Sequence, residues 1–269
     1  SLKPGAEWLI ENVLKEQDPE KETKLRVATN GSVNYYLRHW SDRAHPVYTR
    51  YYDRGGKDWD YGVYFCNYIS PFQLNNGLWP PAGTIKTIEV DGVPVCAIVK
   101  RESKEDLEAI QLVQQRDFLN GIPRLEEVNS KFPNNEFVKL KLGEAYLMTR
   151  QFARVYELMD ECLEIYPDYD KALNIKGVAY MESGDMENAR STFLRITRIN
   201  HRFAPAFHNL GLLCVRMRPP DVVTAIDYFE KAILANKVYR PSYQALAAIY
   251  KQQGRLEEAA QYENAANSL

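Results

Sequence analysis

Residues 176–196 read KGVAYMESGDMENARSTFLRI, two apolar helical patterns on either side of a Gly-Asp pair. In the second pattern, Ala189, Phe193 and Ile196 follow the spacing i, i+4, i+7, which places them on one face of a helix. The Gly-Asp pair at 184–185 predicts a turn, because glycine favours helix ends and aspartate favours helix starts. This stretch therefore predicts a helical hairpin.

The hairpin pattern recurs along the chain. Gly143, Gly177 and Gly211 follow one another at intervals of 34 residues, and Ala247 takes the same position 36 residues after Gly211. The two additional residues fall in the Arg-Pro-Pro-Asp turn at 218–221. A fixed period of this length, shared by spacing and residue type, is typical of stacked helical repeats.

The repeat resembles the tetratricopeptide repeat family over about residues 104–269. The resemblance implies that the glycine lets two helices approach closely, that Tyr and Phe fill the space between hairpins, and that a small residue lies where the helices cross. Lys139 and Val155 depart from the family pattern, which has a large apolar residue and an alanine there. A further proline lies 34 residues before Pro167. We therefore expect a degenerate first repeat at 103–135, with full repeats from residue 136.

Before residue 103 the pattern changes to short β-rich runs. The dipeptide Asp91-Gly92 favours a tight hairpin turn between two of these runs. The predicted elements are helices at Ala6–Leu14 and Ser32–Arg38 and strands at Leu25–Thr29, Pro46–Tyr52, Tyr61–Tyr68, Thr84–Val90 and Val93–Val99. Strands mixed with helices predict a small α/β sheet. The expected fold class is α+β: a small α/β domain at 1–102, then an all-α, right-handed solenoid of tetratricopeptide repeats at 103–269.

Residues 4–100 carry a second resemblance. Its motifs are Glu7-Trp8-Leu9, Leu25–Thr29, Asn34-Tyr35-Tyr36-Leu37, Asp60-Tyr61 and Val90–Pro94. In this order they resemble the soluble extracytoplasmic domain of polytopic membrane glycosyltransferases of the protein-mannosyltransferase type. The resemblance implies a soluble tail on the extracytoplasmic (periplasmic) side, tethered to a membrane part that would hold the catalytic loops. The sequence starts Ser-Leu-Lys-Pro without Met, as expected of a fragment.

Composition and motifs argue against several function classes. The net charge is −2 and neither half of the chain is basic, so nucleic acid is not expected as a partner. The sequence lacks a run of about 18 apolar residues, a nucleophile elbow, a phosphate-binding loop and an H-E-x-x-H zinc motif. The four cysteines lack zinc-ligand spacing, and only Cys66 and Cys96 are candidates for a bridge. We therefore predict no catalytic residue, metal or cofactor.

The expected function is a non-catalytic scaffold that holds a protein or peptide segment. Stacked hairpins of this kind expose the first helix of each repeat on a concave groove. The groove residues predicted from the repeat register are Leu140, Glu144, Leu147, Asn174, Val178, Met181, His208, Leu212, Val215, Gln244, Ala248 and Lys251. These apolar and amide side chains do not reproduce the Lys/Arg/Asn set with which some family members clamp a terminal carboxylate.

Two alternatives are open at this point. One is a site on the α/β domain that binds or processes a glycan or lipid-linked sugar, since aromatic rings beside Asn, Asp and Arg suit sugars. Its candidate residues are Arg54, Asp58, Trp59, Asp60, Asn76 and Trp79. The other is a cytoplasmic stand-alone tetratricopeptide adaptor. Convergence of the two tryptophans on a cleft would favour the sugar site, and an open apolar groove would favour the scaffold.

Overall fold

The computed structural model describes residues 3–16, 24–29, 36–48, 57–66, 74, 79–81, 83–101, 103–133 and 135–269. The chain forms two compact units, Ser1–Leu142 and Gly143–Leu269. The first unit holds a β-sheet and the earlier helices, and the second unit holds the later helices.

The first unit opens with helix α1 (Lys3–Leu9), which continues as a π-helical turn at Ile10–Leu14. Five strands follow in the described residues: β1 Leu25–Thr29, β2 Ala44–Tyr48, β3 Tyr61–Phe65, β4 Thr84–Val90 and β5 Val93–Lys100. Their order in the sheet is β2-β1-β3-β5-β4. β1 is parallel to β2 and β3, and β5 is antiparallel to β3 and β4. Asp91 and Gly92 make the predicted tight turn, with φ of 52° and 76°.

Element limits in this unit differ from the predictions at several places. α1 begins at Lys3, three residues earlier than predicted. β2 begins two residues early, because Ala44 pairs with Leu25 at the start of β1. β3 ends at Phe65, and residues 67–68 of the predicted strand lie outside the described residues. The first four residues of the predicted second helix also lie outside them.

Apolar clusters lie on both faces of the sheet. On one face, Leu9 of α1 packs in a cluster with Val27, Val63 and Ile98, one residue from each of β1, β3 and β5. On the other face, Tyr64 lies in a second cluster with the strand neighbours of those residues. The alternation between the two clusters follows the two-residue period of a β-strand. Covering of both faces is typical of a sheet with parallel strands.

Ten further helices form five successive hairpins in the described part of the chain. They are α2 Glu105–Gln114, α3 Phe118–Lys131, α4 Glu136–Met148, α5 Phe152–Ile165, α6 Asp170–Ser183, α7 Met186–Ile199, α8 Ala204–Arg216, α9 Val222–Ala235, α10 Arg240–Gln252 and α11 Leu256–Asn267. Three of the second helices begin with a side-chain cap, because Asp117, Asp185 and Asp221 accept a hydrogen bond from the N–H three residues later. The predicted helical hairpins are confirmed, whereas the right-handed course of a solenoid over 103–269 stays a prediction.

Asp117 sets the start of α3. The helix begins at Phe118, and Asp117 accepts the Asn120 N–H at 3.3 Å. Pro123 therefore lies in the second turn of this helix. Proline lacks the N–H that a helix would aim at the carbonyl four residues earlier, and that residue, Leu119, has an exposed side chain.

The change from strands to helices falls where the sequence predicts it, between Lys100 at the end of β5 and Glu105 at the start of α2. The two compact units divide later, between Leu142 and Gly143 within α4. The first unit therefore includes α2 and α3 as well as the sheet. Domains at 1–102 and 103–269 stay a prediction.

The glycines of the repeat are sites of close helix contact. A Cβ added at Gly177 would lie 2.6 Å from Cε1 of Phe193, and one added at Gly211 would lie 2.7 Å from Cε1 of Phe229. Both phenylalanines are buried. Only glycine fits such a contact without displacing the ring, so the role predicted for this position is confirmed.

Candidate functional site

The predicted groove residues differ widely in exposure. Leu140, which lies in the first unit, and Met181 are only 3% and 4% exposed. Glu144, Leu147, Asn174, Val178, His208 and Leu212 are half-buried, and Val215, Gln244, Ala248 and Lys251 are exposed. Met181 packs with Phe193 and Leu210 in a core cluster. Met181 and Leu140 therefore do not contribute to an exposed lining, and this part of the prediction is corrected.

Some of the half-buried positions link successive hairpins. Asn209 Nδ2 donates to Asn174 Oδ1 at 3.0 Å. His208 Nδ1 lies 3.1 Å from Ser242 Oγ, and its ring centroid lies 5.2 Å from that of Phe229. Burial lowers the pKa of His208 to about 4. The imidazole is therefore neutral near neutral pH and offers no positive charge to a partner.

An ion pair between two of the first helices was missed by the sequence interpretation. Arg216 Nη2 lies 2.9 Å from Glu182 Oε1, and Arg150 donates to the Glu182 carbonyl oxygen at 3.5 Å. Glu182 and Arg216 are 34 residues apart, so they take the same position in successive repeats. Opposite charges at the repeat interval are the signal that could have revealed this contact. Both side chains are partly exposed, so the pair stabilises by about 1 kcal/mol at most.

The exposed groove positions are concentrated on α10. Gln244, Ala248 and Lys251 follow the spacing i, i+4, i+7 and are all exposed. On the same helix, Leu246 and Tyr250 are buried. The three exposed residues therefore form one outward stripe, the α10 stripe, on the side of the helix that hairpin packing leaves open.

The tryptophans of the alternative sugar site pack into the first unit. Trp59 is 5% exposed, and the Arg101 guanidinium carbon lies 5.1 Å from its ring centroid. Trp79 is half-buried against the same cluster, and its Nε1–H donates to the Pro94 carbonyl at 2.7 Å. Trp59 therefore has little surface on which a sugar could stack. The other two candidates, at 54 and 76, lie outside the described residues.

The two aspartates of the same alternative are engaged in ion pairs. Lys104 Nζ lies 2.7 Å from Asp58 Oδ1 and 2.7 Å from Asp60 Oδ1. Asp58 also pairs with the Arg26 guanidinium, and Asp60 Oδ2 accepts the Arg26 backbone N–H at 2.7 Å. These contacts tie the start of β1 to the segment before α2. The sugar site itself stays a prediction.

A buried ion pair fixes the junction between β5 and α2. The Arg101 guanidinium pairs with the Asp106 carboxylate, and the two side chains are 7% and 6% exposed. Arg101 also donates to the carbonyls of Lys57 at 2.6 Å and Ser103 at 2.8 Å. Burial raises the pKa of Asp106, and the charge of Arg101 opposes this rise. The first helical hairpin is thereby joined to the sheet within the first unit.

The described part of the chain has no group of three His, Cys, Asp or Glu side chains that could hold a metal ion. The four cysteines are free thiols, so Cys66 and Cys96 are not bridged. Burial raises the pKa of Cys96 to about 12, which keeps this thiol protonated. None of the described helices has the length and apolar character needed to cross a membrane.

Comparison with known families assigns the repeat. Residues 170–201 and 241–269 match the tetratricopeptide repeat family. These segments are the hairpins α6–α7 and α10–α11, so both hairpins carry the sequence pattern of a tetratricopeptide repeat. No curated protein matches the chain.

Three solved structures are similar to part of the chain. TTC0263, a thermophilic tetratricopeptide protein of Thermus thermophilus, is 22% identical with a TM-score of 0.51, over 60% of this chain and 87% of that chain. MamA is 23% identical with a TM-score of 0.47, over 62% of this chain and 95% of that chain. MamA of Desulfovibrio magneticus RS-1 is 16% identical with a TM-score of 0.47, over 61% and 92%. The likeness to TTC0263 shows the fold alone, and none of these matches supports the glycosyltransferase resemblance of residues 4–100.

Proposed function

We propose that the chain is a non-catalytic protein-interaction scaffold that binds a protein or peptide segment along the first helices of its later hairpins. The observation that carries this proposal is the α10 stripe of Gln244, Ala248 and Lys251, all exposed. Its sequence neighbours Leu246 and Tyr250 are buried. Stacked helical repeats bind partners on extended concave surfaces, to which the first helices of the hairpins are predicted to contribute.

The side chains at these positions suit an extended peptide segment that binds with moderate affinity. The amide of Gln244 can donate to and accept from a peptide backbone, and the small side chain of Ala248 allows that backbone to approach the helix. Lys251 adds a positive charge, which lies 3.9 Å from Glu263 Oε1. Val215 of α8 is 38% exposed and adds apolar surface on an earlier first helix.

Site-specific photo-crosslinking tests the proposal on the intact chain. A photoreactive amino acid is placed at Gln244 or Ala248 and, as a matched control, at Ala260 or Gln261. All four positions are exposed on the last hairpin. We expect the same partner protein to be captured at the first two positions and not at the control positions. Equal capture at all four, or no capture at the first two, would contradict the proposed surface.

We also propose, on the resemblance of residues 4–100, that the chain is the extracytoplasmic tail of a larger, membrane-anchored, glycosyltransferase-like protein. The support is the order of motifs described above and the mixed sheet that this segment forms. The test is the coding sequence upstream of Ser1. Several membrane spans there would support the tail, whereas a start codon directly before Ser1 would refute it and favour the cytoplasmic adaptor.

A further inference from the structure

A second candidate surface lies on the hairpin α8–α9. An open depression of about 400 Å³ is lined by His201, Arg202, Phe207, Lys231, Leu234 and Ala235. Leu234 is 77% exposed, and the side chains of His201, Arg202 and Lys231 are exposed as well. None of the six residues belongs to the predicted groove or to the α10 stripe. We call this surface the α8–α9 depression.

In the preceding hairpin, α6–α7, the equivalent surface is closed by contacts between side chains and backbone of this chain itself. There, Arg195 of α7 donates to the Pro167 carbonyl at 2.7 Å, and its Nη2 lies 3.7 Å from Asp168 Oδ1. Pro167 and Asp168 belong to the turn before α6. The second helix of that hairpin is thus linked to the turn by a cation on the helix and negative oxygens on the turn.

One repeat later, the charge on the turn is reversed. Arg202 takes the position of Asp168, 34 residues on, and Lys231 takes the position of Arg195, 36 residues on, because two residues are inserted between them. Two cations cannot form the bridge. Lys231 instead pairs along its own helix with Asp227, at 2.6 Å. The turn therefore keeps a positive charge where the earlier hairpin has a carboxylate.

We propose that the α8–α9 depression docks an acidic segment of a partner protein in which a carboxylate stands next to a large apolar side chain. The carboxylate takes the role that Asp168 has one repeat earlier and binds Arg202 and Lys231. The apolar side chain covers Phe207 and Leu234 and removes their exposed surface from water. Charge complementarity speeds the encounter and discriminates against neutral and basic segments.

A peptide selection on the full chain tests this docking surface. A random peptide library displayed on phage is panned in parallel against the wild type, Arg202→Asp and Lys86→Asp. Arg202→Asp places a carboxylate near Lys231, as Asp168 lies near Arg195 in the preceding hairpin. The chain's own carboxylate would then take the place of the partner's. Lys86→Asp makes the same change of charge on β4 of the first unit. Both replaced side chains are exposed, so both variants are expected to fold, which circular dichroism verifies.

We expect the peptides enriched on the wild type to carry Asp or Glu beside Leu, Ile, Phe or Met. In fluorescence anisotropy they are expected to bind Arg202→Asp about tenfold or more weakly and Lys86→Asp as well as the wild type. High salt should weaken the binding of these peptides to the wild type several-fold. The proposal is overturned if no peptide class separates the wild type from Arg202→Asp, or if Lys86→Asp loses binding equally. A third outcome is that no peptide is enriched, the wild type self-associates and Arg202→Asp abolishes this self-association. That outcome would overturn the proposal and identify a second copy of this chain as the occupant.

Discussion

Substitution of Gly177 by alanine tests the packing argument on which the repeat assignment rests. The new Cβ would lie 2.6 Å from Cε1, 3.0 Å from Cζ and 3.1 Å from Cδ1 of Phe193, where ordinary contacts begin at 3.4 Å. Phe193 is fully buried, so its ring cannot move into solvent. Alanine favours a helix over glycine by about 1 kcal/mol, but overpacking of a core costs about 1–3 kcal/mol. The net expectation is a destabilisation of roughly 0–2 kcal/mol.

A double-mutant cycle separates the two contributions. Phe193→Leu removes the ring edge, so Gly177→Ala in that background should keep the helix gain without the collision. We expect the sign to reverse, with Gly177→Ala then stabilising by about 0.5–1 kcal/mol. Ala247→Gly is the matched control in the last hairpin, where Glu263 stands at the position of the ring. That change should simply lose about 1 kcal/mol of helix propensity.

Urea unfolding followed by far-UV circular dichroism is the assay, because the second unit is helical throughout. The four tryptophans, Trp8, Trp40, Trp59 and Trp79, all lie in the first unit. Tryptophan fluorescence therefore reports the first unit and should not change in the cycle. A Gly177→Ala variant more stable than the wild type, or a coupling energy near zero, would refute the close-contact argument.

Three further perturbations follow from the contacts described above. Asp185→Ala should destabilise by about 0.5–2 kcal/mol through loss of the helix cap, as measured by urea unfolding. His208 has a folded pKa of about 4 against its usual 6.5. The neutral imidazole therefore contributes to the free energy of unfolding fully above pH 6.5. This contribution, about 1–3 kcal/mol, is lost as pH falls towards 4. His208→Gln should flatten this dependence in unfolding measured from pH 4 to 7. Asp106→Asn should destabilise the first unit by about 3 kcal/mol, since Arg101 stays buried without its carboxylate, and tryptophan fluorescence would show it.

The helical half was predictable because its contacts recur at the repeat interval. Ala189, Phe193 and Ile196 are fully buried, as their spacing predicts. Each hairpin contacts mainly its neighbours in a stack of this kind. A short window of sequence therefore contains most of the information that places its own side chains.

The depth of the first-helix positions was less predictable. Met181 and Val215 take the same repeat position, 34 residues apart. Met181 is 4% exposed, and Val215 is 38% exposed. Register assigns a residue to a helix face, but it does not give the depth of the layer that the next hairpin places over that face. Two residues are inserted within 218–221, shortly after Val215, and they have no counterpart after Met181.

Long-range contacts of the first unit left a weaker trace in the sequence. The β4–β5 hairpin follows from the local Asp91-Gly92 turn signal. The parallel pairing of β1 with β3 joins residues more than 30 positions apart, such as Val27 and Tyr61. The use of Asp58 and Asp60 as partners of Lys104 depends on that pairing. The local pattern of acidic and aromatic residues did not reveal these ion pairs, and the ligand site that it suggested stays a prediction.

The last hairpin shows which features of the repeat change together. Earlier hairpins set a glycine against a large side chain, whereas this hairpin has Ala247 and Glu263 at the two positions. Tyr262, from the adjacent position, stacks on Tyr250 with ring centroids 5.5 Å apart. An added methyl group and a missing ring offset each other, so the two helices keep their contact through paired changes.

Exposed positions change without such compensation. Asp168 and Arg202 carry opposite charges at the same repeat position, yet both precede a helix that begins at the same point of the repeat, α6 at Asp170 and α8 at Ala204. The backbone does not depend on the sign of that charge, because the side chain lies in solvent. Buried positions are restricted by packing to the same few residue types in every hairpin. If the proposed function is correct, differences in partner between hairpins are therefore expected to come from exposed positions such as Arg202 and Lys251.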